Sequence, residues 1–292
     1  MDRSFNTSVR LSLLLILTIC LWGCSTTGLM VRSMDPLMEN MTIAVNRNPD
    51  VDMVRDALPA SLIQMDGLIQ ASPDTKLLLR ASEAYFGYTF AFVADTDTQR
   101  ARMLHLKARN YALRVLMLND HFQDSFDKGI DAFTKSLNEL EKEDVPALFW
   151  TANNWMAWIA LNLSNPEVLL DVPKVEAMLL RVLELDETYY NGGAHATLGA
   201  FYASRSKAIG GDPQKAKYHF DRAFELSGSK LLFVHLLYAQ YYAYQIQDRE
   251  LFVKTLEAVI ATPGDYYPDK NFANEIAKRK ARVLLKDVDN YF

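Results

Sequence analysis

The chain has 292 residues, half of them hydrophobic, and a formal net charge of −5 at pH 7. A chain of this length can bury a sizeable core, in one large domain or two small ones. Its mildly acidic balance, without basic runs, argues against nucleic-acid binding, which needs clustered Lys and Arg side chains.

The first residues carry the pattern of a secretory signal. Arg3 and Arg10 precede the apolar run LSLLLILTIC, and the letters LWGC follow it and end at Cys24. The run is about a dozen residues, too short to cross a ~30 Å hydrocarbon core as a helix. The Gly-Cys ending resembles the lipobox of bacterial lipoproteins, which implies cleavage before Cys24 and lipid on that cysteine. A simple signal peptide or signal anchor, with Cys24 incidental, is the alternative.

Lipid on Cys24 would be the attachment of the chain to a membrane, because two acyl chains anchor a protein stably and no later stretch of 18 apolar residues occurs. Ser25 follows the cysteine instead of Asp, so no inner-membrane retention signal of that kind is expected, and we predict the periplasmic face of the outer membrane. The predicted organisation is a signal peptide (1–23), a lipidated tether (24–32) and a single domain (33–292). The other cysteine, Cys20, lies in the signal, so no disulfide is expected after cleavage.

From residue 33 onward, apolar residues recur at the spacing of amphipathic helices, and alternating strand-like runs are nearly absent. This pattern predicts an all-α fold. Helix starts are predicted at Ser72-Pro73-Asp74, Asp171-Val172-Pro173 and Asp212-Pro213, where a polar side chain and a proline suit the first turn. A left-handed glycine in Asn191-Gly192-Gly193 is expected to end the helix before it.

Four helix pairs share the large and small positions of a tetratricopeptide (TPR) repeat. In the clearest pair, residues 195–228, Gly199, Ala216 and Ala223 would let two helices approach closely. Weaker copies cover residues 78–115, 150–182 and 237–259.

These pairs predict an irregular TPR-like helical solenoid of about four degenerate helix-turn-helix repeats. Helical segments near residues 33–70 and 271–288 would cap its ends. An irregular helical bundle with accidental matches is the alternative.

No arrangement of catalytic residues is recognisable in the sequence. Gly-x-Ser-x-Gly, a phosphate-binding glycine loop and His-Glu-x-x-His are all missing. The five histidines are widely spaced and are interpreted as helix-surface or satisfied core residues. They are His105, His121, His195, His219 and His235. We therefore predict that the protein is not an enzyme and has no metal site and no cofactor.

Two aromatic clusters, around residues 149–158 and 238–244, lie on the first helices of their pairs. In TPR-type superhelices the first helices line the concave face, and Trp and Tyr combine an apolar body with one polar group, which suits a ligand groove. The candidate ligand-binding or channel-lining residues are Trp150, Asn153, Asn154, Tyr238, Tyr241 and Tyr242. The alternative is that these side chains pack the repeats together. Asn154 should be hydrogen-bonded or face a wet cavity, because an unpartnered buried amide costs about 1–3 kcal/mol.

Two stretches are similar to one protein family. They are GGDPQKAK, at 210–217 and followed by YHFDRA, and the ending AKRKARVLLKDVDNYF. With the lipobox and the four pairs, they resemble the T component of tripartite ATP-independent periplasmic (TRAP) transport systems, the TatT-like lipoproteins. The resemblance covers nearly the whole mature chain and supplies no catalytic residue.

The resemblance implies a periplasmic, lipid-anchored, TPR-like homotrimer with a channel through each protomer. It also implies a TRAP-type solute-binding protein as partner and a hydrophobic ligand. The alternative function is a TPR lipoprotein scaffold for envelope or outer-membrane protein assembly. The large, irregular insertions between paired helices favour the transport role, since a peptide-binding array tends to keep its repeats near 34 residues.

Overall fold

A computed structural model describes residues 26–207 and 210–292, and these residues form helices and connecting turns without any strand. The predicted all-α class is therefore confirmed within these ranges. The predicted signal peptide and Cys24 lie outside the described residues. Among the described helices, none combines the length and the apolar character that a membrane span requires.

The described ranges contain fourteen α-helices. In chain order they are α1 (Thr26–Ser33), α2 (Asp35–Arg47), α3 (Val51–Ala71), α4 (Thr75–Tyr88), α5 (Thr98–Leu116), α6 (Asp120–Ser125), α7 (Ile130–Leu137), α8 (Val145–Ala160), α9 (Val172–Asp186), α10 (Gly193–Ala203), α11 (Pro213–Ser227), α12 (Leu232–Leu237), α13 (Arg249–Ala261) and α14 (Asn271–Lys286). Two π-helical segments continue α4 and α12, over Thr89–Val93 and Tyr238–Ala243. Helix α1 occupies most of the predicted tether.

Helix starts follow local side-chain chemistry. Asp74 caps α4 by accepting from the backbone N–H of Lys76 at 3.0 Å, and Asp212 caps α11 by accepting from that of Gln214 at 2.9 Å. A carboxylate there satisfies N–H groups that have no partner within the helix. The Asp171 side chain makes no such bond at the start of α9. This helix instead has a proline in its first turn, whose ring fixes a backbone angle that suits a helix.

All four predicted helix pairs pack as neighbours: α4 with α5, α8 with α9, α10 with α11, and α12 with α13. At the clearest pair, a Cβ added to Gly199 would lie 2.9 Å from the ring of Phe220. The close approach predicted there therefore depends on glycine. The description of the four pairs as a TPR-like solenoid stays a prediction.

The N-terminal and C-terminal helical segments pack against each other, so they do not stand apart at opposite ends as solenoid caps would. Arg279 of α14 pairs with Asp52 of α3 at 2.9 Å. Beside this pair, Val54 packs in one apolar cluster with Phe272 and Ile276. Packed neighbours then run from α3 through α4, α5, α8, α9, α10, α11, α12, α13 and α14, and back to α3. This order of packed neighbours closes on itself, and we call it the ring of helices.

Candidate functional site

Aromatic side chains from α4 and its π-helical continuation, α8, α12 and the turn at Tyr190 form a continuous row. The centroid of Trp150 on α8 lies 5.0 Å from that of Tyr190 and 5.6 Å from that of Phe86 on α4. Phe86 is parallel to Phe90 at 6.4 Å, and Phe90 meets Phe233 of α12 edge-on at 5.0 Å. We call these five residues the aromatic row. Its members are close enough to present one extended apolar surface.

Three residues keep accessible surface although protein surrounds them closely, and two of them, Tyr190 and Glu83, lie together at one end of this row. Tyr190 keeps 39% of its surface accessible, yet burial is the main cause that raises the pKa of its phenol well above the ordinary value. Glu83 and Tyr241 are only partly buried by area, and burial is again the first cause of their raised pKa values. A side chain that touches open space while protein surrounds it lines a concavity. We call the space beside Tyr190 and Glu83 the chamber.

The turn that carries Tyr190 has an unusual backbone. Tyr190, Asn191 and Gly192 are all left-handed, with φ of 52°, 56° and 78°. For L-residues this region costs roughly 1–2 kcal/mol each, and for a bulky residue it is a genuine outlier. The Tyr190 hydroxyl donates to Glu83 Oε1 at 3.1 Å, and Lys270 Nζ lies 5.2 Å from the ring centroid. Such strain persists where surrounding contacts hold it, and it is concentrated at functional sites.

Both π-helical segments contribute a side chain to this region. Thr89–Val93 contains Phe90 of the aromatic row, and Tyr238–Ala243 contains Tyr241. Segments of this kind are rare and occur frequently at functional sites, because the extra residue turns side chains to new directions. Nothing in the periodicity of the sequence indicated them.

A separate cavity of about 400 Å³ includes Tyr241 in its lining. Its lining includes Arg205, Gln240, Tyr241, Tyr244, Gln245 and Tyr291, and we call it the mouth pocket. Asp95 connects it with the aromatic row: its charge contributes to the raised pKa of Tyr241, and it pairs with Lys280, whose Nζ lies 4.5 Å from the Phe90 centroid.

Gln245 holds one wall of the mouth pocket in place. Its Nε2 donates to the backbone oxygens of Tyr202 at 2.9 Å and Arg205 at 3.0 Å. Its Oε1 is buried and has no partner among the described residues. This wall therefore carries one buried hydrogen-bond acceptor that has no partner among the described residues.

Two of the six predicted site residues lie in these features: Trp150 in the aromatic row and Tyr241 in the mouth pocket. Tyr238 and Tyr242 stack on each other at 4.9 Å, and Tyr238 meets Phe220 of α11 edge-on at 5.4 Å. These two tyrosines pack α12 against α11.

The two asparagines bond to neighbouring helices. Asn154 is fully buried; its Nδ2 donates to the backbone oxygen of Trp150 at 3.0 Å, and its Oδ1 accepts from His105 Nδ1 at 3.1 Å. Of the two alternatives for Asn154, a bonded core amide or a residue facing a wet cavity, the first is observed. Asn153 Oδ1 accepts from the Thr197 hydroxyl at 2.6 Å.

Tyr190, Phe233 and three residues of α4 and its π-helical continuation were not selected in the sequence analysis. These three are Glu83, Phe86 and Phe90. Their spacing of three and four residues places them on one helical face, which is the signal that could have indicated them. In the part of the chain that the structure describes, no group of three or more His, Cys, Asp or Glu side chains is arranged to hold a metal ion.

Comparisons with known proteins give one family and one relative. Residues 47–292 match the family model described as TRAP transporter T-component. A protein of Treponema pallidum (strain Nichols), described as uncharacterized, is 24% identical over 271 residues, which cover 87% of this chain and 84% of that protein.

Proposed function

Since the chain belongs to the TRAP transporter T-component family, we propose that it is a lipid-anchored periplasmic accessory protein of a TRAP-type uptake system. In this proposal it binds a TRAP-type solute-binding protein and holds a ligand with an apolar body in the chamber. The family is a transport accessory family, which supports a binding role instead of catalysis.

The single observation that supports a ligand is the enclosed but accessible position of Tyr190, Glu83 and Tyr241. The aromatic row along this space offers an apolar lining with few polar groups, which is typical of small-molecule sites. Aromatic surface left open to water inside a protein gains free energy when an apolar ligand covers it.

Shortening Phe90 should weaken the binding of an apolar probe. We expect Phe90→Ala to bind 11-(dansylamino)undecanoic acid about tenfold more weakly than wild type, because one large aromatic contact is lost. Dansyl fluorescence during titration measures the dissociation constant, and thermal melting checks that the variant is folded.

The matched control is Leu118→Ala, which shortens an apolar side chain that is 73% exposed and lies away from the row. It should bind as wild type does. If both variants lose affinity for the probe equally, the probe binds elsewhere. If wild type shows no saturable binding, the ligand is removed from the proposal.

Capture from the cell envelope tests the partner. Tagged protein that keeps Cys24 should recover a TRAP-type solute-binding protein, identified by mass spectrometry, above the level in an untagged strain. Recovery of barrel-assembly or cell-wall proteins instead would support the scaffold alternative. Light scattering of the purified protein tests the homotrimer that the family resemblance implies.

The anchor has its own test. Mass spectrometry of the mature amino terminus should find Cys24 carrying acyl groups, and Cys24→Ser should leave the membrane fraction, because single or absent chains hold a protein only weakly. An unmodified Cys24 would contradict the anchor without affecting the chamber.

A further inference from the structure

Helices α1 and α2 expose large apolar side chains to solvent. Four of them each keep between 47% and 66% of their surface accessible, and we call them the N-terminal apolar residues: Leu29 and Met30 of α1, and Leu37 and Met41 of α2. The exposed Ala44 follows Met41 by three positions, and Met41 follows Leu37 by four, so these three share one face of α2. Exposed apolar side chains grouped in this way indicate contact with a membrane or with another protein.

The opposite sides of these two helices are fixed to the fold. Val31 of α1 and Met38 of α2 are buried in one apolar cluster with Ile69 of α3 and Leu77 of α4. Asp35, at the start of α2, also pairs with Arg80 of α4 at 3.0 Å. The N-terminal apolar residues are therefore held in a defined position relative to α3 and α4.

Covalent structure brings this region close to the proposed anchor. Cys24 precedes the first residue of α1, Thr26, by two positions. Two residues of fully extended chain span at most about 7 Å. Leu29 lies three residues further along α1, which adds about 5 Å at 1.5 Å per residue. Acyl chains on Cys24 would therefore hold α1 at the lipid headgroups, which makes the membrane the nearest apolar surface for its exposed side chains.

The charges around these helices are largely paired. Arg32 pairs with Asp74 at 3.4 Å, and Lys76 pairs with Asp35 at 3.2 Å. Paired charges at an exposed surface are screened and attract a charged partner only weakly. Contact with lipid is therefore expected to depend on burial of apolar surface, and to occur on neutral as well as anionic headgroups.

We propose that α1 and α2 lie on the lipid surface, with the N-terminal apolar residues inserted at the boundary between headgroups and acyl chains. Amphipathic helices bury their apolar faces about 5–10 Å deep at this boundary. Because α1 and α2 are packed on α3 and α4, this contact holds the whole fold on the membrane in one orientation. The inference rests on the proposed function, since it uses the anchor at Cys24.

Quenching of a fluorescent label by lipid tests this contact. After the predicted cleavage Cys24 is the one cysteine of the chain and would carry the lipid, so Leu37→Cys or Met41→Cys supplies a free thiol for a nitrobenzoxadiazole dye. The labelled mature lipoprotein is reconstituted into phosphatidylcholine vesicles that contain doxyl-labelled phosphatidylcholine, which quenches a dye among the acyl chains.

The matched control is Glu39→Cys, since Glu39 is exposed on the same helix but lies about 200° around it from Leu37. We expect quenching about threefold stronger at positions 37 and 41 than at position 39, because one face of α2 enters the lipid. Replacing part of the neutral lipid with phosphatidylglycerol should leave this ratio unchanged. Adding Met41→Glu to the Leu37→Cys protein should reduce quenching to the control level, with thermal melting as the check of folding.

The outcomes separate this contact from the anchor. Equal quenching at the three positions, or none, while mass spectrometry finds acyl groups on Cys24, would overturn the inference and leave the anchor in place. A blue-shifted dye at position 37 that lipid does not quench would overturn it as well, because a protein surface would then cover this face. An unmodified Cys24 would remove the anchor from the proposed function and this inference with it.

Discussion

Lowering the pH from 6.5 to 4 is expected to reduce the free energy of unfolding by about 3 kcal/mol through His105, with a further loss in the same direction through His219. Burial is the first cause that lowers the pKa of both imidazoles to about 4, from an ordinary value of 6.5. The folded state therefore stays unprotonated at pH values where the unfolded chain binds protons. Their stabilising effect is complete above pH 6.5, declines as the pH falls, and is lost below about pH 4.

The surroundings of each ring explain this preference. Neutral His105 donates to Asn154 in a fully packed position and gains no nearby carboxylate on protonation. His219 Nδ1 lies 2.9 Å from His195 Nδ1, so one ring must donate and the other must accept, and His195 and Lys215 oppose a further positive charge. A proton on His219 would disturb a pair that is buried on both sides.

Urea unfolding between pH 7.5 and 4.5 measures how the free energy of unfolding depends on pH. Carboxylates with lowered pKa values remain ionised across most of this window, so they contribute little to the loss of stability. His105→Asn should reduce the slope of stability against pH. The control His121→Gln changes an exposed histidine and should keep the wild-type slope. A stability that stays level across the window would contradict the prediction.

Gly211→Ala is expected to destabilise the protein by about 3 kcal/mol, because the turn has no room for a methyl group. An added Cβ would lie 1.8 Å from the carbonyl oxygen of Arg205, a distance that requires movement of the backbone. The turn is also held at two neighbouring points: the Gly211 N–H donates to the Ser206 oxygen at 2.9 Å, and the Asp212 N–H donates to the Tyr202 oxygen at 3.0 Å.

Gly129→Ala is the matched control. Nothing lies within 4 Å of an added Cβ there, and its φ of −60° suits any residue. Its stability should remain within about 0.5 kcal/mol of wild type. Urea unfolding of both variants compares them directly, and a Gly211→Ala variant as stable as Gly129→Ala would show that the turn relaxes freely.

The helices, several of their ends and the family could be predicted from the sequence. Apolar spacing predicted the all-α class, and Asp74 and Asp212 cap helices as expected because capping involves only neighbouring residues. The GGDPQKAK stretch and the chain ending indicated the T-component family, and the match over residues 47–292 confirms it. The close approach of α10 and α11 at Gly199 was also predicted, from the small residues of this helix pair.

The candidate site was predicted only in part. Trp150 belongs to the aromatic row and Tyr241 to the mouth pocket, whereas Asn154, Tyr238 and Tyr242 pack between helices, although all of them lie in the same two clusters. Helical spacing separates the faces of a helix but does not identify which face meets a neighbour. The π-helical segments and the left-handed Tyr190 carry no residue pattern that marks them, since surrounding contacts hold them in place.

The sequence by itself determined the helical elements, their capping and the family, because periodicity, caps and motifs are properties of residues close together in the chain. Only the tertiary structure decided that the chain closes into a ring, through contacts such as Arg279 with Asp52, which lie 227 positions apart. Packing of distant elements also raises the pKa of Glu83 and lowers that of Arg205 by burial. Burial and electrostatic environment depend on all neighbours in space, and no local stretch of sequence records them.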